Sequence, residues 1–256
     1  MGLTEGAAVS GVARLAKKLD AFVPLLPDEL PIVADLGTGM RPVRRREDLI
    51  VEGRSYRALF LIAEGILMRY RILRDGRRQI INLAVPGDFA GMPGCMFDSA
   101  LYSVRALTDA QVEVIPLQRL LRLCETQPRL STKILWSFAC ETAIYIEHLI
   151  LVGRRSALER VAHFLLELLT RLQLIGLADE CSYRIRLSQE VIGDALGLSL
   201  PYVNRVLRKL SEDGLVTIRE HRFIINDIAA LAALADFERN YLRPLPISEL
   251  YEAARQ

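Results

Sequence analysis

A chain of 256 residues with 51% hydrophobic and 25% charged residues, a net charge of +2, 16 glycines and 11 prolines is too long for one average domain and too short for three. That composition excludes a disordered or collagen-like chain. The apolar runs Leu59 to Ala63 and around Leu149 are broken by charge before the ~18–20 residues of a membrane span. The N-terminus has Glu5 and no basic segment ahead of an apolar core, so no secretory signal is visible and a cytoplasmic protein with no membrane partner is expected. Cys95, Cys124, Cys140 and Cys181 are too widely spaced to present paired thiolates, and His148, His163 and His221 are dispersed. Neither a metal site nor a histidine-based triad is supported, and no enzyme is expected.

From Leu49 to Ile115 short apolar or alternating runs (LIVEG, YRALFLIAEG, ILMRYRILRDG, RQIINLAVPGD, YSVRALTDAQVEVIP) are punctuated by Gly53, Gly65, Asp75-Gly76 and Pro86-Gly87-Asp88. This spacing predicts antiparallel strands in a barrel or double-sheet roll, with a type I′ hairpin turn at Asp75-Gly76. Residues 41 to 78 carry eleven arginines against five acids. Arg69 and Arg71 alternate with Met68, Tyr70 and Ile72, which predicts a half-buried strand whose arginines face solvent.

After Pro116 the period changes. Beyond Pro128, Leu135, Phe138, Thr142, Tyr145, Leu149 and Val152 follow at spacings of three and four, the seam of a coiled coil, and a homodimer along this helix is expected. Leu158, Val161, Ala162, Leu165, Leu168, Leu169 and Leu172 mark a second, amphipathic helix. The predicted organisation is α+β: residues 1–125 a helical segment and β-roll, 126–155 a dimerisation helix, and 156–256 a C-terminal domain with its tail.

The stretch RLSQEVIGDALGLSLPYVNRVLRKLSEDGLVTI, residues 186 to 218, carries the function. Ser188 is a good N-cap, Val191, Ile192, Ala195 and Leu196 share one face, and Gly197 supplies a turn cheap only for glycine. Ser199 is placed to cap a second helix with Pro201 in its first turn and Val203, Val206, Leu207 and Leu210 as its buried stripe. The opposite face offers Tyr202, Arg205 and Lys209 with Arg208 beside them, and no acid stands between Ser199 and Leu210. Arginine suits the guanine edge, asparagine base edges, and tyrosine, lysine and serine phosphates. Two short strands joined through Glu220-His221 then predict a wing, completing a winged helix-turn-helix.

In this order the motifs EGILMRYRILRDGRRQI, PGDF at 86 to 89, VRALTDAQVEVIP at 104 to 116 and LSQEVIGDALGLSLPYVNRVLRKLSEDGLV are specific together. The chain resembles the cyclic-AMP receptor protein/FNR superfamily of bacterial transcription regulators from about residue 30 to 228. The resemblance implies a β-roll that senses a small-molecule effector, a long helix that pairs two subunits, and paired second helices that read a two-fold operator in double-stranded DNA, with RNA polymerase as a further partner. Its DNA-binding positions are Ser188, Gln189, Ser199, Pro201, Tyr202, Asn204, Arg205, Arg208 and Lys209. Its effector-pocket positions are Gly87, Asp88, Phe89, Leu101, Tyr102, Tyr145 and Ile146.

The departures from the family are informative. Members that bind cyclic AMP carry Gly-Glu-Leu and Arg-Ser-Ala; here the stretches read Gly87-Asp88-Phe89 and Ala100-Leu101-Tyr102, so the phosphate-holding arginine is missing and cyclic AMP is not expected. No cysteine precedes Cys95, which argues against the N-terminal iron–sulfur cluster of oxygen-sensing relatives. Haem through His148 or Cys95 stays open, although a single histidine on a long helix is expected to be polar surface. Arg-Glu at the start of many recognition helices is replaced by Leu200-Pro201, leaving Arg205 as the one matching base reader. The rival reading is a ligand-binding module that acts through a protein partner with little DNA binding.

Overall fold

The computed structural model describes residues 11–20 and 25–242; residues 1–10, 21–24 and 243–256, which include the predicted C-terminal tail, lie outside the described residues. Among the described residues the chain forms two compact units, one from residues up to Leu67 together with 84–134, the other from 68–83 together with Leu135 onward.

The first unit opens with helices α1 (Gly11–Asp20) and α2 (Glu29–Ala34). The strands follow: β1 (Met40–Val43), β2 (Asp48–Ile50), β3 (Ala58–Glu64), β4 (Leu67–Ile72), β5 (Arg78–Ala84) and β6 (Phe89–Ala90), then a short α3 (Met92–Met96), β7 (Ser103–Ala106), β8 (Ala110–Pro116) and α4 (Leu117–Thr126). One antiparallel sheet runs β1-β8-β3-β6, and β2 pairs β7 antiparallel. Alternation alone would bury every second residue. Instead β3 is buried from Leu59 to Ala63, because both of its faces are covered. The roll's interior is an apolar cluster that includes Phe60, Ile62, Leu67, Ala100, Val104 and Val112, with Tyr56 and Tyr102 packed against it. Helix α1 is fastened by Lys18, whose ammonium lies 2.7 Å from Asp88. Lys133 and Glu29 form a buried ion pair.

The second unit contains most of the β4-β5 hairpin, with α5 (Pro128–Arg154) entering it at Leu135, α6 (Ala157–Leu174), β9 (Ser182–Arg184), α7 (Gln189–Leu196), α8 (Leu200–Glu212), β10 (Val216–Arg219), β11 (Arg222–Ile225) and α9 (Ile228–Ala235). The hairpin turn is not type I′. Only Gly76 has positive φ, at 84°, and Leu73 N–H donates to the Arg77 carbonyl at 2.7 Å, so the loop is the longer kind that needs one left-handed residue. The two successive positive φ values of a type I′ turn occur instead at Glu220 (47°) and His221 (65°), between β10 and β11.

Arg69 corrects the expectation of a solvated arginine face. It is fully buried, donating to Asn82 Oδ1 at 2.8 Å and to Glu141 Oε1 at 2.9 Å, while only Arg71 and Ile72 of β4 are exposed. The side chains of the strand alternate between its faces as its period requires, but α5 covers the face at Arg69 that would otherwise meet water. By length and hydropathy α5 could cross a membrane, which corrects the reading that no stretch would qualify. The composition of this helix has a different origin in two stripes. Ser137, Glu141, Ile144, His148 and Leu151 face inward and are buried, whereas Leu135, Ala139, Thr142, Ile146, Leu149 and Gly153 face outward and are exposed, each stripe stepping by three and four.

Helix α6 begins with a capping box in which the Ser156 hydroxyl accepts from Glu159 N–H and the Glu159 carboxylate accepts from Ser156 N–H. It is buried all round from Val161 to Leu172, not amphipathic as its leucines suggested.

Candidate nucleic-acid interface

Helix α8 packs against β10 of the sheet β10-β11-β9, and α7 and α8 pack against each other and against α6. Ser188 caps α7, its hydroxyl accepting from Val191 N–H at 3.2 Å. Gly197 ends that helix in the left-handed region (φ 65°), and the chain turns into α8. Ser199 holds the N-cap position of α8 but its side chain makes no capping hydrogen bond, contrary to the reading that it would. Proline at the second helical position needs no partner for its missing N–H, so the helix starts without that cap. Val203, Val206, Leu207 and Leu210 are buried as expected.

The remaining face of α8 is open to solvent. Pro201, Tyr202, Asn204, Arg205, Arg208 and Lys209 are all exposed, Ser188 and Ser199 likewise, and Gln189 is half-buried. The cations differ in their engagement. Lys209 is paired with Asp213, one turn further on, at 2.6 Å, and this hydrogen bond raises the lysine pKa. Asp213 lies three residues beyond the acid-free stretch that ends at Leu210. The Arg205 guanidinium instead lies over the Tyr202 ring, 5.4 Å from its centroid.

The effector-pocket positions are divided between the two units. In the first, Gly87 (φ 88°) makes the turn, and the Asp88 carboxylate is committed to Lys18 and to Val85 N–H at 2.9 Å. Phe89 is buried, Leu101 is exposed, and Tyr102 packs on the core cluster. Ala100, where the phosphate-holding arginine would stand, is buried among apolar side chains. Arg105 is held in two hydrogen bonds by Asp48, at 2.9 and 2.6 Å. In the second unit Tyr145 is half-buried and Ile146 is 55% exposed.

Sequence reasoning missed a buried polar network behind the helix-turn-helix. His148 is not polar surface: it is buried, its Nδ1 lies 3.0 Å from the Ile81 carbonyl, and its Nε2 lies 3.2 Å from Glu167 Oε2. Arg171 reaches Glu167 Oε1 at 3.2 Å and donates to the Leu83 carbonyl at 2.8 Å. The Tyr241 hydroxyl donates to Glu167 Oε2 at 3.1 Å and accepts from His163 Nε2 at 3.0 Å, while His163 Nδ1 faces Arg155 Nη1 at 3.2 Å. These bonds assign His163 one tautomer and keep it neutral. Burial, with Arg155 beside it, lowers its pKa to about 4. For Glu167 burial alone would raise the pKa, but His148 and Arg171 outweigh it and hold the carboxyl at about 2. Burial likewise opposes charge on His148, and the Glu167 carboxylate overcomes it and raises the imidazole pKa. No chain-local signal marks these residues, since residues 148, 163, 167 and 241 meet only in the folded unit.

A β-roll, a long helix with an exposed apolar stripe, and a winged helix-turn-helix with an exposed cationic second helix define a DNA-binding regulator of transcription. Residues 40–127 match the model of the cyclic nucleotide-binding domain, and residues 159–234 that of the Crp-like helix-turn-helix domain. The chain is 34% identical over 179 residues to the nitrogen fixation regulation protein FixK of Bradyrhizobium diazoefficiens, spanning 70% of this chain and 74% of that protein. It is 29% identical over 195 residues to the transcriptional activator protein anr of Pseudomonas aeruginosa, spanning 76% and 80%. The solved structure of FixK2 from Bradyrhizobium japonicum has a TM-score of 0.69 at 28% identity, covering 77% of this chain and 96% of that one. The chain belongs to the CRP/FNR family of transcription regulators, and these relatives are regulators and not enzymes.

Proposed function

We propose that the protein is a homodimeric, sequence-specific regulator acting in the bacterial cytoplasm, that two copies of α8 read a two-fold operator, and that its β-roll answers to a small molecule other than cyclic AMP. The observation that carries the DNA reading is the exposed face of α8, where Arg205 has no hydrogen bond or ion pair among the described residues and is free to meet a base edge. Tyr202 lies against its guanidinium, Ser188, Gln189, Ser199, Pro201, Asn204, Arg208 and Lys209 are the remaining contact positions, and RNA polymerase is the expected partner of the bound dimer.

The test uses an operator selected from random DNA. Truncating Arg205 to alanine should cost about 1–3 kcal/mol per half-site and relax preference at one base pair. Lys209→Ala should weaken all sequences alike and lower the salt slope by less than the ~0.9 of a free phosphate contact, because Asp213 already holds the ammonium. If Arg205→Ala keeps full base preference, the face of α8 that meets DNA is another one.

Support for a signal other than cyclic AMP comes from the roll's interior. Ala100 sits in the apolar cluster and Arg105 is bound to Asp48, so a buried phosphate would meet no free cation at either position. Isothermal calorimetry should detect no cyclic-AMP binding at micromolar concentrations, and operator affinity should not change when it is added. A micromolar Kd would overturn this part of the reading.

A further inference from the structure

Residues 202 and 205 are one helical turn apart on α8, a spacing that places their side chains side by side. The Arg205 Cζ lies 5.4 Å from the centre of the Tyr202 ring, within the reach of a cation–π contact. Both side chains are exposed, Tyr202 by 45%, so the contact is not forced by core packing. Arg205 has no other polar partner among the described residues, whereas Lys209 on the same face is tethered by Asp213.

We propose that Tyr202 is a positioning residue whose ring holds the Arg205 guanidinium for base reading and thereby sets specificity at that base pair. An unrestrained arginine must give up much rotamer freedom to make a bidentate contact with guanine, and any conformer that reaches a phosphate instead carries no sequence information. A ring beneath the guanidinium removes part of that freedom before DNA arrives, and the contact strengthens when the groove excludes water. The ring is the working part of Tyr202, and its hydroxyl is not required. This proposal rests on the reading of Arg205 as a base reader.

The experiment measures affinity of the full-length protein for its selected operator, for the same operator changed at the base pair that Arg205→Ala relaxes, and for random-sequence DNA. Tyr202→Leu should lower discrimination at that base pair about five- to tenfold per half-site, the size of a partly desolvated cation–π contact, without changing random-DNA affinity or salt slope. Tyr202→Phe should keep discrimination within about twofold. In an Arg205→Ala background, Tyr202→Leu should cause no further loss, since the two residues act as one unit. Uniform weakening on all DNA by Tyr202→Phe would make the hydroxyl a phosphate contact and overturn the proposal. Full discrimination in Tyr202→Leu, with Arg205→Ala still relaxed, would overturn it while leaving the base-reading role of Arg205 intact. Full discrimination in Arg205→Ala would remove that role and the proposal with it. Because Tyr202 lies on the solvent face, unchanged circular dichroism and thermal midpoint are expected for both variants.

Discussion

Replacing Glu167 with alanine should destabilise the protein by about 3–5 kcal/mol, the cost of leaving buried charges without their partner. Glu167 is 1% exposed and receives His148, Arg171 and Tyr241 from three separate parts of the chain. Removing it leaves the Arg171 guanidinium buried without its carboxylate, and leaves the Tyr241 O–H donor without its acceptor. Urea unfolding at fixed protein concentration measures the loss, and Tyr241→Phe, which deletes one hydrogen bond to the carboxylate, should cost about 1–3 kcal/mol.

The pH dependence has a definite sign for each group. His163 is neutral in the folded state with its pKa lowered to about 4, so stability is present above the ordinary value of 6.5 and falls as pH drops toward 4. Glu167, lowered from 4.5 to about 2, adds a second loss as pH falls below 4.5. His148 is raised, so its contribution is complete below 6.5 and is lost as pH rises through its folded pKa. Glu167→Ala should abolish the last of these, because the carboxylate that favours the imidazolium is gone. A variant whose stability and alkaline limb match the parent would show that the network does not hold the unit together.

Leu149→Glu should convert the proposed dimer to monomers that remain folded. Leu149 is 70% exposed, so the fold of one subunit tolerates a carboxylate there, yet the residue lies in the outward stripe with Leu135 and Ile146, exposed by 68% and 55%. A contiguous apolar stripe left exposed along a helix marks a surface that a partner covers. In the proposed pairing each glutamate would be desolvated against the other subunit without a cation, worth about 3–5 kcal/mol against association. Sedimentation at micromolar concentration should give the mass of one chain, with circular dichroism unchanged. A variant that stays dimeric would place the subunit contact elsewhere, and DNA binding by a folded monomer with undiminished operator affinity would remove the need for pairing.

The helix-turn-helix was legible in the sequence because its determinants are local. Gly197 at a left-handed turn, Ser188 as a cap, Pro201 in a first turn and the Val203-Val206-Leu207-Leu210 stripe each act within a few residues. The wing strands were legible for the same reason, although the type I′ geometry went to Glu220-His221 and not to Asp75-Gly76. In α5 the shared positions Leu135, Thr142 and Leu149 were identified, but which neighbours complete the outward stripe depended on what covers the other side. Periodicity tells which residues share a face, not what that face meets.

Composition and periodicity therefore determined the order of β strands, long helix and winged domain, and which side chains α8 turns away from its core. Tertiary structure alone decided that Arg69 is buried and that His148 and His163 belong to one network. A buried charge is tolerated where a complementary group arrives from elsewhere, and the groups that arrive here lie far away in sequence: Glu141 is 72 residues from Arg69, and Tyr241 is 74 from Glu167. No local pattern encodes such a meeting, because it is the packing of whole elements that brings the partners together and removes the water that would otherwise solvate them.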